Sequence, residues 1–422
     1  MNQRIELLPG VFLRAVQTDK FKTGCLSISF LRPLCREEAA KNALLPSVLL
    51  RGTKQHPDIM RISMLLDELY GAAVGTLVRK KGEVQTWGFY ADFIEDAYTL
   101  EGENVFAEVC GFLRELLLEP VTEQGVFCRD FVEGEKVNLC NSIAAEINDK
   151  RSYAVLRLLR TMCREERYSV SRLGDRESAE AVTPEDLYAH YQRTLAASRV
   201  ELFYMGRKPL CEVERQVRTM LDGLPRAALD PIGTEVVERA GSVRTVDERM
   251  DVTQGKLSLG FRTGCTGGDK DYTALFLLNA VYGGAVTSKL FQNVRERLSL
   301  CYYASSSLEK HKGLMVVSSG IEFANYEVAK AEILRQLDDC WEGKITDEEL
   351  ESARAYLISA LRASMDRPGG LDDFYLSQAI AGLSGTMEDR IEALRRVTKD
   401  EVAAAARKLT LDTVYFLKGV EA

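Results

Sequence analysis

The sequence predicts an α+β fold made twice: two homologous domains, each an antiparallel-rich β-sheet covered by long α-helices. Three observations lead there. Gly24-Cys-Leu-Ser-Ile-Ser-Phe30 returns 231 residues later as Gly255-Lys-Leu-Ser-Leu-Gly-Phe261, and Ala43-Leu44, Gly52 and Lys81-Gly82 meet Ala274-Leu275, Gly283 and Lys312-Gly313 at that same spacing. Internal repetition of this kind marks duplicated structural units. Short alternating apolar segments cluster early in each copy and long amphipathic segments follow, which is the order of a sheet backed by helices.

Taken in chain order, Leu26–Phe30 and Leu257–Phe261 alternate as half-buried strands, and Ile62–Leu69 and Tyr272–Tyr282 carry helical spacing. Glu83–Phe89 and Leu314–Ile321 read as strands again. Val105–Leu118, Glu123–Asn148, Ala329–Trp341 and Asp347–Met365 read as long helices, the last with an apolar stripe at Leu350, Ala353, Leu357 and Leu361. Beyond the central matches the spacing shifts to 224, pairing Ala107-Glu108-Val109 with Ala331-Glu332-Ile333 and Thr122-Glu123 with Thr346-Asp347, as loops of unequal length require. Both copies end alike. Thr183 and Thr398 each sit as an N-cap before acids in a first turn, and each helix leads to an apolar strand, Val200–Tyr204 or Val414–Leu417, that stops at Gly206 or Gly419. The reading is a domain at 1–210, a linker at 211–239 beginning just after Pro209 and containing Pro225 and Pro231, and a domain at 240–422. The linker is the expected hinge.

Composition narrows the function. A net charge of -8, with 28% charged residues, gives no broad electrostatic grip on nucleic acid or anionic lipid. No nucleic-acid or membrane partner is expected. The N-terminal stretch is interrupted by charges too often for a signal peptide and reads as part of the fold. The longest uncharged run, Tyr272–Ser288, contains Thr, Asn, Gly and Ser and reads as a buried helix and loop rather than a membrane span. Ten cysteines are scattered without a Cys-x-x-Cys, which suits reduced thiols in a cytoplasmic protein.

The densest signal lies in the second copy: Leu278-Asn279, Gly283-Gly284, Ser288-Lys-Leu-Phe291, then Val294-Arg295-Glu296-Arg-Leu-Ser299-Leu-Cys-Tyr302. It resembles the C-terminal half-domain of the pitrilysin/insulinase-like zinc peptidases, the group that includes mitochondrial processing peptidase. There Gly-Gly-x-x-x-Ser-x-Leu-Phe precedes Arg-Glu-x-x-Gly-Leu-x-Tyr, and the Arg and Tyr hold the substrate backbone. The resemblance assigns those roles to Arg295 and Tyr302, with Ser299 where glycine is usual. An Arg fork and a phenol can both donate to a peptide carbonyl and to the oxyanion it becomes. Gly283 and Gly284 are expected to let backbone approach the substrate closely.

The same resemblance places the family's inverted zinc motif, His-x-x-Glu-His, shortly before Arg51-Gly52-Thr53, on Ala43-Leu44-Leu45-Pro46-Ser47. Neither histidine nor the glutamate is there, so no metal ligand is expected at Ala43, Pro46 or Ser47. Pro46 should break or delay the helix. The chain has three histidines, His56, His190 and His311, no two of them four apart; each reads as a surface or packing residue. Glu146 is the nearest counterpart of the family's third ligand and reads as a helix-surface acid. Other patterns are weaker: Gly264-Cys-Thr-Gly-Gly268 lacks a phosphate-binding motif, Arg157–Arg167 reads as a solvated helix face, and no Gly-x-Ser-x-Gly is present.

What the resemblance implies is half of a clam-shell chamber with no zinc of its own. The leading expectation is a non-catalytic subunit of a heterodimeric zinc peptidase, inactive alone. Zinc would sit in a homologous partner with an intact motif, while Arg295 and Tyr302 orient a peptide and stabilise its tetrahedral intermediate in trans. Gly75–Val78 is the expected edge strand for an added peptide. The alternatives are a catalytically inactive scaffold or peptide-binding protein, as a homodimer, and a self-sufficient peptidase with an unrecognised site.

Overall fold

The repeated alternating stretch is the central strand of a sheet in each half of the chain, with both neighbours antiparallel. The computed structural model describes residues 2–420. Its first half runs β1 (Asn2–Leu8), β2 (Val11–Gln17), β3 (Thr23–Pro33), α1 (Arg36–Leu49), α2 (Ile59–Glu68), β4 (Ala73–Lys81), β5 (Val84–Ile94), α3 (Val105–Leu118), β6 (Thr122–Glu123), β7 (Val126–Phe127), α4 (Arg129–Ala145), α5 (Lys150–Met162), α6 (Arg176–Glu180), α7 (Pro184–Ala197), β8 (Arg199–Gly206) and α8 (Leu210–Met220). The second half runs β9 (Arg244–Arg249), β10 (Gly255–Arg262), α9 (Tyr272–Asn279), two wide π-helical turns at Ala280–Gly284 and Leu290–Arg297, β11 (Cys301–Glu309), β12 (Leu314–Ile321), α10 (Tyr326–Trp341), α11 (Asp347–Met365), α12 (Pro368–Ala381), α13 (Met387–Arg396), α14 (Lys399–Ala406) and β13 (Thr410–Lys418).

The two sheets have one topology. The six-stranded sheet is ordered β1-β2-β8-β3-β5-β4 and the five-stranded sheet β11-β12-β10-β13-β9. Without β1, the first order maps onto the second strand for strand, and each contains a single parallel pair, β2 with β8 and β13 with β9. The repeated Lys-Gly is the turn of the edge hairpin in both, with φ +58° at Gly82 and +67° at Gly313, the left-handed region that glycine enters without a Cβ clash. Both Thr N-caps are formed: Thr183 Oγ1 accepts from Asp186 N and Thr398 Oγ1 from Glu401 N. Both domains of the expected fold are present as sheets covered by helices.

By its contacts the chain divides into two compact units: residues 1–144, 170–233 and 371–379, and residues 145–169, 234–370 and 380–422. This departs from the continuous spans expected from sequence. In the first unit, Phe30 of β3 stacks on Trp87 of β5 at 4.4 Å, within one core shared with the apolar residues of α1 and α3. The other face of this sheet receives Leu371–Ala379: Ser27 donates to Asp372 at 2.6 Å, Arg79 pairs with Asp372 at 2.6 Å, and Tyr375 lies 6.0 Å from Phe203. In the second unit β10 packs under α9, α10 and α11, with Leu350, Ala353 and Leu357 buried and Leu361 half-buried. Its opposite face receives α5, whose Ala154 and Leu158 meet Val316, Tyr415 and Leu417. The Arg157–Arg167 stretch is therefore only partly solvated; Arg157 pairs with Glu248 at 2.8 Å. The expected linker contains α8, whose Val213, Val217 and Met220 join the first unit's core.

Two helix expectations need correction. The segment expected to be helical from Glu123 opens instead as the β6–β7 hairpin, because Gln124 (φ +52°) and Gly125 (φ +85°) form a tight two-residue turn, and α4 begins at Arg129. Nor does Pro46 interrupt α1, which runs through it to Leu49. The ring removes one backbone donor, a cost of roughly 3 kcal/mol, but Leu44, Leu45, Val48 and Leu49 are all buried around it and the turn after it closes with Leu50 N donating to Pro46 O at 3.1 Å. Burial of four large apolar side chains, about 1.5–3 kcal/mol each, outweighs that loss.

Candidate functional site

Arg295 and Tyr302 lie on one cleft of the second unit, of about 460 Å³, together with Glu296, Ser299, Leu300 and Cys301, and with Glu322 and Asn325 from the turn after β12. The π-helical turn that carries Arg295 is anchored by buried Leu290 and Val294. It ends with Leu300 N donating to Val294 O at 3.0 Å and with Ser299 at φ +51°. That left-handed conformation explains why glycine is the usual residue at this position.

Tyr302 owes its exposure to a β-bulge. Cys301 pairs with Ile321 and Tyr303 with Gly320, so Tyr302 is an extra residue in β11, the edge strand of its sheet. A bulge re-aims a side chain, and Tyr302 is 61% exposed while Cys301 beneath it is buried. Burial raises the Cys301 thiol above its ordinary value, which keeps the sulfur protonated. The Arg295 guanidinium lies 4.7 Å from the Phe291 ring centroid and 3.5 Å from the Glu296 carboxylate. Two donors of the kind a peptide carbonyl accepts therefore share one open cleft.

Gly283 and Gly284 do not line it. A Cβ on Gly283 would come within 2.8 Å of the Ser306 backbone nitrogen, and one on Gly284 within 2.6 Å of Asn279 Nδ2. Both glycines serve packing inside the unit rather than leaving room for substrate.

Ala43 and Ser47 lie one turn apart on α1 and line a cleft of about 500 Å³ in the first unit. Facing them are Glu135, Asn138 and Ser142 of α4, and Thr76–Arg79 of β4 forms another wall. Pro46 is buried. β4 is an edge strand, as expected from Gly75–Val78. The donor set does not fit zinc, which needs about three nitrogen, sulfur or carboxylate ligands. The cleft offers one carboxylate, Glu135, already engaged by Arg51 at 3.4 Å and Asn138 Nδ2 at 3.1 Å. Among the described residues no group of three or more His, Cys, Asp or Glu is placed to hold a metal ion.

The acid that meets this cleft is Glu135, not Glu146, which follows the end of α4 and pairs with Arg160 at 3.6 Å. Spacing could have found it, since 135, 138 and 142 share one helical face. The histidines do other work. His56 Nδ1 meets Glu115 Oε2 at 2.9 Å, His311 lies in the turn between β11 and β12, and His190 is buried. Burial first, then Arg193, Arg32 and Lys41, push the His190 imidazole down to about 3. All ten cysteines are free thiols. Gly264–Gly268 is a loop. No helix among the described residues is long and apolar enough to cross a membrane.

A duplicated sheet-and-helix fold, an Arg/Tyr cleft in its second copy and lost ligands in its first define an inactive-type zinc-peptidase homologue. A family profile described as the Peptidase M16 inactive domain matches residues 181–357. The chain is 35% identical over 98% of its length, and 96% of the relative's, to the "Probable inactive metalloprotease YmfF" of Bacillus subtilis. It superposes on a conserved protein from Enterococcus faecalis with a TM-score of 0.91 at 30% identity, covering 100% of this chain and 99% of that one. A peptidase M16 inactive domain from Pseudomonas fluorescens gives 0.81 at 17% identity, covering 99% and 98%, and so shares the fold. The chain belongs to the M16, or pitrilysin/insulinase-like, zinc metallopeptidase family, as a member lacking the inverted His-x-x-Glu-His motif.

Proposed function

We propose that this chain is the peptide-holding, non-catalytic subunit of a two-chain M16 peptidase whose homologous partner carries the zinc. The observation that supports it is the pairing of an intact Arg295/Tyr302 cleft with first-unit positions, Ala43 and Ser47, that offer no metal ligand. In this role Arg295 and Tyr302 donate to a backbone carbonyl of the bound peptide and keep that charge stabilised as it grows, while the hydrolytic chemistry belongs to the partner. The free edges of β4 and β11 suit an extended peptide added as a strand. Ten free cysteines suit a reducing compartment, and we place the protein in the cytoplasm.

The test is reconstitution. Neither the isolated chain nor Arg295→Ala should cleave an unfolded peptide; mixing the native chain with a homologue bearing the intact motif should produce cleavage, reduced at least tenfold by Arg295→Ala and by Tyr302→Phe. Equal stimulation by the native chain and both variants would assign a scaffold role instead, the reading that the lost ligands alone would favour. Stoichiometric zinc and cleavage by the isolated chain would overturn both.

A further inference from the structure

The charge of the Arg295/Tyr302 cleft says which peptides it takes. Three charged side chains line it, one cation and two anions: Arg295, Glu296 and Glu322. Arg295 and Glu296 lie 3.5 Å apart and largely offset one another. Glu322 is left over. It is exposed at the end of β12, and among the described residues it forms no ion pair. Its backbone carbonyl accepts from Asn325 N at 3.0 Å, which fixes the turn that carries it.

Resting on the peptide-holding reading, we infer that Glu322 is a specificity residue: the cleft prefers a peptide with a lysine or arginine side chain beside the carbonyl held by Arg295 and Tyr302. The recognised group is a side-chain cation. The Arg295 guanidinium and the Tyr302 phenol donate to the peptide backbone and so serve any sequence, which leaves discrimination to the unpaired carboxylate. Tyr302 adds an exposed ring on the same cleft, along which the methylenes of a long basic side chain can lie. An exposed charge pair of this kind is weak, so the preference is expected to reach at most about fivefold and to shrink with added salt.

The experiment measures fluorescence-anisotropy affinity of the purified chain for three ten-residue Thr/Val peptides that differ at one central position: lysine, norleucine or glutamate. The lysine peptide should bind more tightly than norleucine, by up to about fivefold, and glutamate more weakly than either. Glu322→Gln should level lysine with norleucine, and Glu322→Lys should reverse the order in favour of glutamate. The control Glu388→Gln, on the exposed first turn of α13, should leave the order unchanged. Binding without regard to charge, or a lysine preference that survives Glu322→Gln, overturns the inference and leaves the peptide-holding role standing. Binding of none of the three peptides overturns both.

Discussion

The backbone N–H of Ser299 donates to the carbonyl of Arg295 at 3.1 Å while Ser299 itself sits at φ +51°. The turn that sets up the Arg/Tyr cleft is thus closed by a residue held in a conformation that costs an L-amino acid roughly 1–2 kcal/mol. Ser299→Gly should relieve that strain and, after glycine's own entropy cost, stabilise the protein by about 0.5–1 kcal/mol. Ser299→Val should destabilise it by about 1–2 kcal/mol. Urea unfolding of the two variants checks both signs, and equal stabilities would show that the turn tolerates any residue.

Arg295 and Tyr302 are exposed and contribute little to packing. Arg295→Ala and Tyr302→Phe should therefore alter stability by less than about 0.5 kcal/mol. A melting temperature several degrees lower in either variant would make these residues structural.

His190 gives the fold a pH dependence. Its Nε2 lies 2.8 Å from Asn42 Oδ1 and its Nδ1 lies 3.1 Å from Arg193 Nη2, a pattern that suits a neutral ring donating at Nε2 and accepting at Nδ1. Its folded value of about 3 lies below the ordinary value of 6.5. Between those limits the unfolded chain binds the extra proton, so stability is full above pH 6.5 and falls as pH drops below it, by up to about 1.4 kcal/mol per unit. His190→Gln should lower stability at pH 7.5 but flatten its decline between pH 6.5 and 5. An unchanged decline in the variant would place the effect elsewhere.

Asp372 ties α12 to the first sheet through Ser27 and Arg79. Asp372→Ala removes the partner of a mostly buried guanidinium and should cost about 3 kcal/mol. Hydrogen exchange should quicken first in residues 371–379, and uniform exchange across the chain would argue against a local tie.

The α1–α4 cleft keeps a backbone on which ligands can be rebuilt. Ala43→His with Ser47→His places two imidazoles one helical turn apart, opposite Glu135. The double variant should take up about one equivalent of zinc by elemental analysis, and the native chain far less. Failure of the variant to bind would put the alignment of this helix in doubt.

By itself the sequence determined the duplication, the existence of the central strands and long helices of each copy and three of their boundaries, the Arg295–Tyr302 element and the absence of ligand side chains at Ala43, Pro46 and Ser47, because each is written in local pattern or residue identity. α3, α11 and β12 begin and end where their periodicity does. Only the tertiary structure decided the rest. That α5 packs in the second unit and Leu371–Ala379 in the first, that Glu135 rather than Glu146 faces the cleft, that Gly283 and Gly284 serve internal packing, and that Glu322 joins Arg295 all depend on contacts between residues far apart in the chain. The continuity of α1 through Pro46 belongs with them: local propensity opposes it, and the burial of its neighbours, which no local pattern reports, prevails.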